Sequence, residues 1–195
     1  MTTASFADDS LYTGIAHLTD RTPAAVNDLV SLWSDWGLGL FAVLMVLAWL
    51  RARAAGRPQR PALAVPVVAV VAFLADYGTK SLLHEARPCQ VLHVTPLQTC
   101  PPVGDWSFPS NHAAIAAAAA VALWFVDRGL AAAALPAAVL MALSRVWVGA
   151  HYPHDVVAGL LLGTVVAVVS MRLVLRSVAP PRTSGEPEPA QVPVP

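Results

Sequence analysis

The residues best equipped for chemistry fall into four short segments, at 80–88, 109–112, 144–145 and 151–155. Lys80 and Arg87 lie in KSLLHEARP, and Ser110, Asn111 and His112 follow one another in FPSNH. Arg145, His151 and Asp155 share SRVWVGAHYPHD. Together they offer three cations, a hydroxyl, an amide and two imidazoles, with few carboxylates. Such a mixture suits an anion carrying several oxygens, which means phosphate. The segments are far apart in sequence, so the question is which elements could bring them together.

Only 12% of the 195 residues are charged and 56% are hydrophobic, with a mean hydropathy of +0.60. Soluble globular domains carry roughly 25% charged residues, so this balance points to a chain solvated largely by lipid. Charge-free stretches run over 36–50, 61–75, 113–126, 129–144 and 156–171. Each is shorter than the roughly 20 apolar residues a bilayer usually needs. Core helices of a soluble protein are the alternative, and the low charge content weighs against them. Helices can extend beyond each stretch, with arginines snorkelling to the interface. The alanine-rich runs 113–120 and 131–138 suit close helix contacts in lipid.

The expected fold is therefore all-α: a polytopic membrane bundle of about five transmembrane helices plus an N-terminal interfacial helix. Residues 1–35 form the N-terminal segment, 36–178 the transmembrane catalytic domain, and 179–195 a disordered proline-rich cytoplasmic tail. Within the first segment, 22–35 reads as the amphipathic interfacial helix, with Leu29, Val30, Leu32 and Trp33 on its apolar side. No basic region precedes an apolar run at the N-terminus, so no cleaved signal peptide is expected. Net charge is zero and no basic stripe occurs, which argues against nucleic acid as a partner.

Lys and Arg in short loops set orientation. Arg51, Arg53, Arg57 and Arg60 follow the first stretch, Arg128 the third, and Arg172, Arg176 and Arg182 the fifth. That side should be cytoplasmic. The other side carries the N-terminus and loops 76–112 and 145–155, and its basic residues are Arg21, Lys80, Arg87 and Arg145. Cations kept on the side that normally lacks them need a reason. In an up-and-down bundle, the four polar segments all meet on that outer side. Cys89 and Cys100 share it, and an even pair on an oxidising face suggests a disulfide closing a short loop, worth about 3 kcal/mol; two free thiols are the alternative.

Ordinary readings exist for the neighbouring residues. His17, His84, His93 and His154 are expected to be interfacial, as are Trp106 and Trp147. Asp76 stands one helical turn before Lys80 and is expected to pair with it and orient it. Pro153 suits the first turn of the last helix.

The three motifs, in this order, resemble the signature of the type 2 phosphatidic acid phosphatase superfamily: K-x6-R-P, P-S-G-H and S-R-x5-H-x3-D. The likeness extends over about 61–176, with Asn111 in place of the family's glycine. It implies that His151 is a nucleophile forming phosphohistidine and that Asp155 accepts a hydrogen bond from its other ring nitrogen. It implies that His112 protonates the leaving oxygen and then activates water. Lys80, Arg87, Ser110, Asn111 and Arg145 would hold the phosphoryl oxygens.

The resemblance thus implies a metal-independent hydrolase without cofactor in the plasma membrane. Its substrate would be a lipid phosphate or diphosphate, such as phosphatidic acid, phosphatidylglycerol phosphate or a prenyl diphosphate like undecaprenyl diphosphate. Two alternatives remain open: a lipid phosphotransferase using the same pocket, and a non-catalytic anion-binding membrane protein. The sequence gives no oligomeric state.

Overall fold

The computed structural model describes residues 3–92 and 94–178. His93 and the tail 179–195, expected to be interfacial and disordered respectively, lie outside them. The described residues form helices and no strand. In order these are α1 (Thr3–Arg21), α2 (Ala24–Trp36), α3 (Leu38–Ala54), α4 (Arg60–Leu83), the short α5 (Pro88–Val91), α6 (Asn111–Trp124), α7 (Arg128–Trp147) and α8 (Pro153–Val178).

The centre of the bundle is α6, which packs against α4, α7 and α8. Its sequence, NHAAIAAAAAVALW, explains the position. Ala113, Ala114, Ala116 to Ala120, Ala122 and Leu123 are all buried, and side chains this small let three neighbouring backbones close in. At 1.5 Å per residue, its 14 residues span about 21 Å, short of the roughly 30 Å of a hydrocarbon core. A helix walled in by others need not reach both interfaces. Among the described residues, three helical runs, beginning at Arg60, Arg128 and Pro153, are long and apolar enough to cross a membrane. A fourth results if α2 and α3, bent by 50° at their junction, count as one span. The expected five charge-free stretches thus correspond to α3, α4, α6, α7 and α8, of which α3 and α6 are too short to qualify alone.

The contact between α6 and α8 is limited by backbone at two glycines. Gly159 and Gly163 stand four apart on α8, the small-xxx-small spacing of tightly crossed membrane helices. A Cβ on Gly163 would overlap the Ala114 carbonyl oxygen and come within 3.0 Å of the Ala118 nitrogen. These are backbone atoms that cannot swing aside. Gly163→Leu is therefore expected to separate α8 from α6 and cost several kcal/mol, as overpacking of a tight core does. A thermal-unfolding scan in detergent against wild type checks this, and a melting temperature unchanged within error contradicts it.

Ahead of α2, which covers the segment expected to be an interfacial helix, the chain makes a further 19-residue helix, α1. Tyr12 of α1 is fully buried and donates a hydrogen bond to the Gly149 carbonyl at 3.1 Å. At the opposite end of the bundle, Arg51 pairs with Asp127 at 3.3 Å and Arg57 donates to the Val126 carbonyl at 3.1 Å. Arg57, Pro61, Val126 and Leu175 line one cavity there. The arginine-rich ends of α3, α4, α7 and α8 thus share one end of the molecule.

Candidate active site

The other end gathers the polar segments. Lys80 lies in the last turn of α4, Arg87 just before α5, and Arg145 in the last turn of α7. Asn111 and His112 open α6, with Ser110 at its N-cap, and Asp155 sits in the first turn of α8. His151 occupies the short link between α7 and α8. Gly149 makes that link possible. Its φ of 83° is a left-handed conformation that side chains disfavour, and a Cβ there would come within 2.7 Å of the Pro96 Cβ. The turn then folds back so that the His151 N–H donates to the Arg145 carbonyl at 3.2 Å.

His151 and Asp155 form the buried heart of the site, at 2% and 0% exposure. The imidazole Nδ1 lies 3.2 Å from Asp155 Oδ2, an oxygen that also accepts from the Tyr152 N–H at 2.9 Å and from the Ser107 hydroxyl. A carboxylate can only accept, so Nδ1 carries the proton and Nε2 keeps its lone pair. Nε2 faces Arg87 Nη1 at 3.3 Å. Burial is the main force on this imidazole and holds its pKa down to about 4; the Asp155 carboxylate opposes that shift and the Arg87 charge adds to it. The ring is therefore neutral throughout the physiological range, with an available nitrogen beside a guanidinium.

Each cation is moored from behind. Arg87 donates through Nε to the Asp105 carbonyl at 2.8 Å and through Nη1 to the Ala150 carbonyl at 2.8 Å. Its Nη2 pairs with Asp105 Oδ1 at 3.0 Å. Lys80 Nζ donates to the carbonyls of Trp106 at 2.9 Å and Ser107 at 3.1 Å, leaving one N–H of its three. Arg145 reaches Ser34 Oγ on α2 and, at 3.2 Å, Gln98 Oε1. Gln98 belongs to the loop closed by the Cys89–Cys100 disulfide, which ties that loop back to α5.

The groups left over are the informative ones. Ser110 Oγ, Asn111 Oδ1 and Arg145 Nε are buried and find no hydrogen-bond partner among the described residues. Buried polar groups are almost always satisfied, so a hydroxyl and a guanidinium N–H kept free can serve a bound oxyanion. The first-turn N–H groups of α6 add to them, since a helix N-terminus lacks intrahelical partners there and carries positive potential. His112 stands in that first turn, within the electrostatic reach of Arg145, His151, Arg87 and Lys80. All eight proposed site residues thus belong to one end of the bundle.

One expectation needs correction. The Asp76–Lys80 salt bridge does not form: both Asp76 oxygens lack a hydrogen-bond partner among the described residues, although the side chain is fully buried. Lys80 instead extends past the end of α4 to the 106–107 carbonyls. His154, expected to be interfacial, also has carboxylate partners: its Nδ1 meets Asp8 Oδ2 of α1 at 2.7 Å and its Nε2 meets Glu85 Oε1 at 3.0 Å. The tryptophans hold structural posts: Trp147 Nε1 donates to Asn27 Oδ1 at 3.0 Å, and the Trp106 ring packs edge-on against His84 at 4.8 Å.

Residues 60–179 match the PAP2 superfamily, a stretch that holds all eight proposed site residues. The chain belongs to that superfamily. Among its relatives, the undecaprenyl-diphosphatase of Sulfolobus acidocaldarius is 29% identical over 77% of this chain and 71% of its own length. The decaprenylphosphoryl-5-phosphoribose phosphatase of Mycobacterium tuberculosis is 34% identical over 64% of this chain and 68% of its own. The PAP2-type phosphatidylglycerolphosphate phosphatase of Bacillus subtilis shares the fold with a TM-score of 0.67 at 18% identity. That match covers 93% of this chain and 90% of the other. PAP2 membership accounts for three separated motifs converging at one end of a helical bundle.

Proposed function

We propose that this PAP2 protein is a metal-independent phosphatase that hydrolyses a polyprenyl-linked phosphate or diphosphate through a phosphohistidine at His151. The observation that carries the reading is the buried imidazole with Nδ1 on Asp155 and Nε2 beside Arg87. In the first step the Nε2 lone pair attacks the terminal phosphorus, and the bond from that phosphorus to the bridging oxygen breaks. That oxygen belongs to the lipid alcohol in a monophosphate and to the inner phosphate in a diphosphate. His112, which takes up a proton together with the anionic substrate, gives that oxygen its proton. In the second step His112 takes a proton from water, the resulting hydroxide attacks phosphorus, and the P–N bond breaks to release phosphate. Arg87, Arg145, Lys80, Ser110 and the α6 N-terminus neutralise charge on the phosphoryl oxygens, the main demand of this chemistry. Fixed cations in that number supply what Mg²⁺ supplies in other phosphoryl-transfer sites.

The lipid part of the reading has its own support. An apolar groove of about 340 Å³ runs between α2 and α7, lined by Leu29, Val30, Trp33, Leu140, Leu143 and Trp147. Trp33 and Ser144 line this groove while their chain neighbours Ser34 and Arg145 bond to each other on the site side. A phosphate at Arg145 can therefore leave its hydrocarbon chain along the groove. The undecaprenyl- and decaprenyl-linked substrates in the names of the relatives favour a prenyl chain over diacylglycerol. The arginine-rich opposite end supports a cytoplasmic C-terminus and a site on the outer face.

The test is phosphate release by purified protein in detergent with EDTA, across a polyprenyl diphosphate, phosphatidic acid and phosphatidylglycerol phosphate. Turnover of the prenyl substrate that persists in EDTA is expected, and turnover strictly dependent on added divalent metal contradicts the reading. Filling the groove with Leu140→Trp is expected to lower kcat/KM about tenfold for the long-chain substrate, equivalent to 1.4 kcal/mol. The same variant should leave a short-chain, water-soluble phosphate ester unaffected.

A further inference from the structure

Ser107 lies outside all three motifs, and it is fully buried at the point where they meet. Its hydroxyl donates to Asp155 Oδ2, and the same oxygen lies 3.4 Å from His151 Nδ1. Its carbonyl accepts from Lys80 Nζ at 3.1 Å, and its N–H donates to the Glu85 carbonyl at 2.7 Å. One residue thus touches α4, the 84–87 segment, the α7–α8 link and α8.

We propose that Ser107 is a positioning residue that locks His151 in the tautomer with Nδ1 protonated and Nε2 free for attack. A serine hydroxyl has one proton and two lone pairs. Here the proton is spent on Asp155, so Ser107 presents only lone pairs to His151 Nδ1, beside an Asp155 oxygen that can also only accept. The opposite tautomer, with a bare Nδ1, would face two acceptors and no donor. The orientation of the ring follows from the same two contacts, and the hydroxyl also stabilises the negative charge on Asp155. This inference rests on the phosphohistidine reading and adds to it a residue with no contact to the phosphoryl group.

A pH signature follows. Charged or titratable groups face His151 from every side: Asp155 and, behind it, Asp76; Arg87; Lys80; and His112 on α6. Removing the Ser107 hydroxyl changes none of these but withdraws one hydrogen bond from the Asp155 carboxylate. That makes the carboxylate a stronger partner for a protonated imidazole, so His151 holds a proton to higher pH. The acid limb of the wild-type rate profile, where His151 takes up a proton, should lie near pH 4. In Ser107→Ala that acid limb should move upward by about half a unit to one unit.

The experiment measures kcat, KM and the pH profile of wild type, Ser107→Ala, Ser107→Cys and Ser107→Thr in detergent, with His151→Gln alongside. The expected result is a kcat lowered about 10- to 100-fold in the alanine variant, with KM within about twofold and the acid limb displaced. The threonine variant, which keeps the hydroxyl, should recover most of kcat and the wild-type profile. If the alanine protein fails to fold, the near-isosteric cysteine, a weak donor, should give the same loss and displacement. A kcat within twofold of wild type with an unmoved profile overturns the proposal, as does a loss that threonine does not repair. Activity surviving in His151→Gln instead overturns the phosphohistidine reading itself, which separates the two failures.

Discussion

His151→Gln is expected to lose phosphate release by at least about 10⁴-fold, the scale on which nucleophiles of coupled catalytic groups fail when removed. Glutamine is the informative replacement. His151 is 2% exposed, so alanine would leave a cavity and confuse lost chemistry with lost packing. A glutamine amide fills much of the space and can still donate to Asp155. It cannot take phosphorus, because an amide nitrogen has no available lone pair. The loss should therefore appear in kcat while the protein keeps its melting temperature and still binds vanadate. A rapid quench with labelled substrate sharpens the test. Wild type should carry label in a bond that survives alkali and breaks in acid, as a P–N bond does, and His151→Gln should carry none. Label that persists in the variant would move the nucleophile elsewhere.

How much of this site could be read beforehand depended on what kind of signal each residue leaves. Lys80, Arg87, Arg145, His112, His151 and Asp155 stand out because charged and ionisable groups are conspicuous in a chain with so few, and because they cluster at the ends of apolar stretches. Their convergence then followed from helix order alone. Ser107 left no such signal. A lone serine in a loop has no periodicity and little chemical identity until its neighbours in space are known. The Asp76–Lys80 pairing failed for a related reason. Spacing of one turn shows that two side chains share a helix face, but near a helix end a lysine's stem can reach loop carbonyls beyond the last turn, and the 106–107 carbonyls lie there.

The helices show the same division. Counting charge-free stretches found α3, α4, α6, α7 and α8, since apolar composition is a strong local signal. It could not tell a lipid-facing span from α6, whose 14 residues are surrounded by other helices. Surrounded and exposed apolar helices look alike in composition. The Gly159–Gly163 contact also passed unnoticed, because its meaning lies in what approaches the glycines. α1 escaped because its sequence mixes polar and apolar residues without a dominant stripe. It is fastened by particular contacts, Tyr12 to Gly149 and Asp8 to His154, that sequence does not announce.

The second large effect belongs to His112, and the two steps of the proposed mechanism make it depend on the substrate. With a prenyl phosphate, the departing oxygen belongs to a poor leaving group, and general acid catalysis typically contributes 10²- to 10⁴-fold. His112→Ala is expected to lose about that much. An aryl phosphate with a strongly acidic phenol leaves without a proton, so its first step should be nearly unharmed in the variant. Its second step still needs a base to activate water, and that base is gone. His112→Ala should therefore release about one equivalent of phenol quickly and then stall, with His151 phosphorylated and phosphate release slow. Wild type should release phenol and phosphate together. Equal slowing of both products in the variant, with no burst, would mean that His112 holds the phosphoryl group without moving a proton, and the acid–base assignment would have to go to another group.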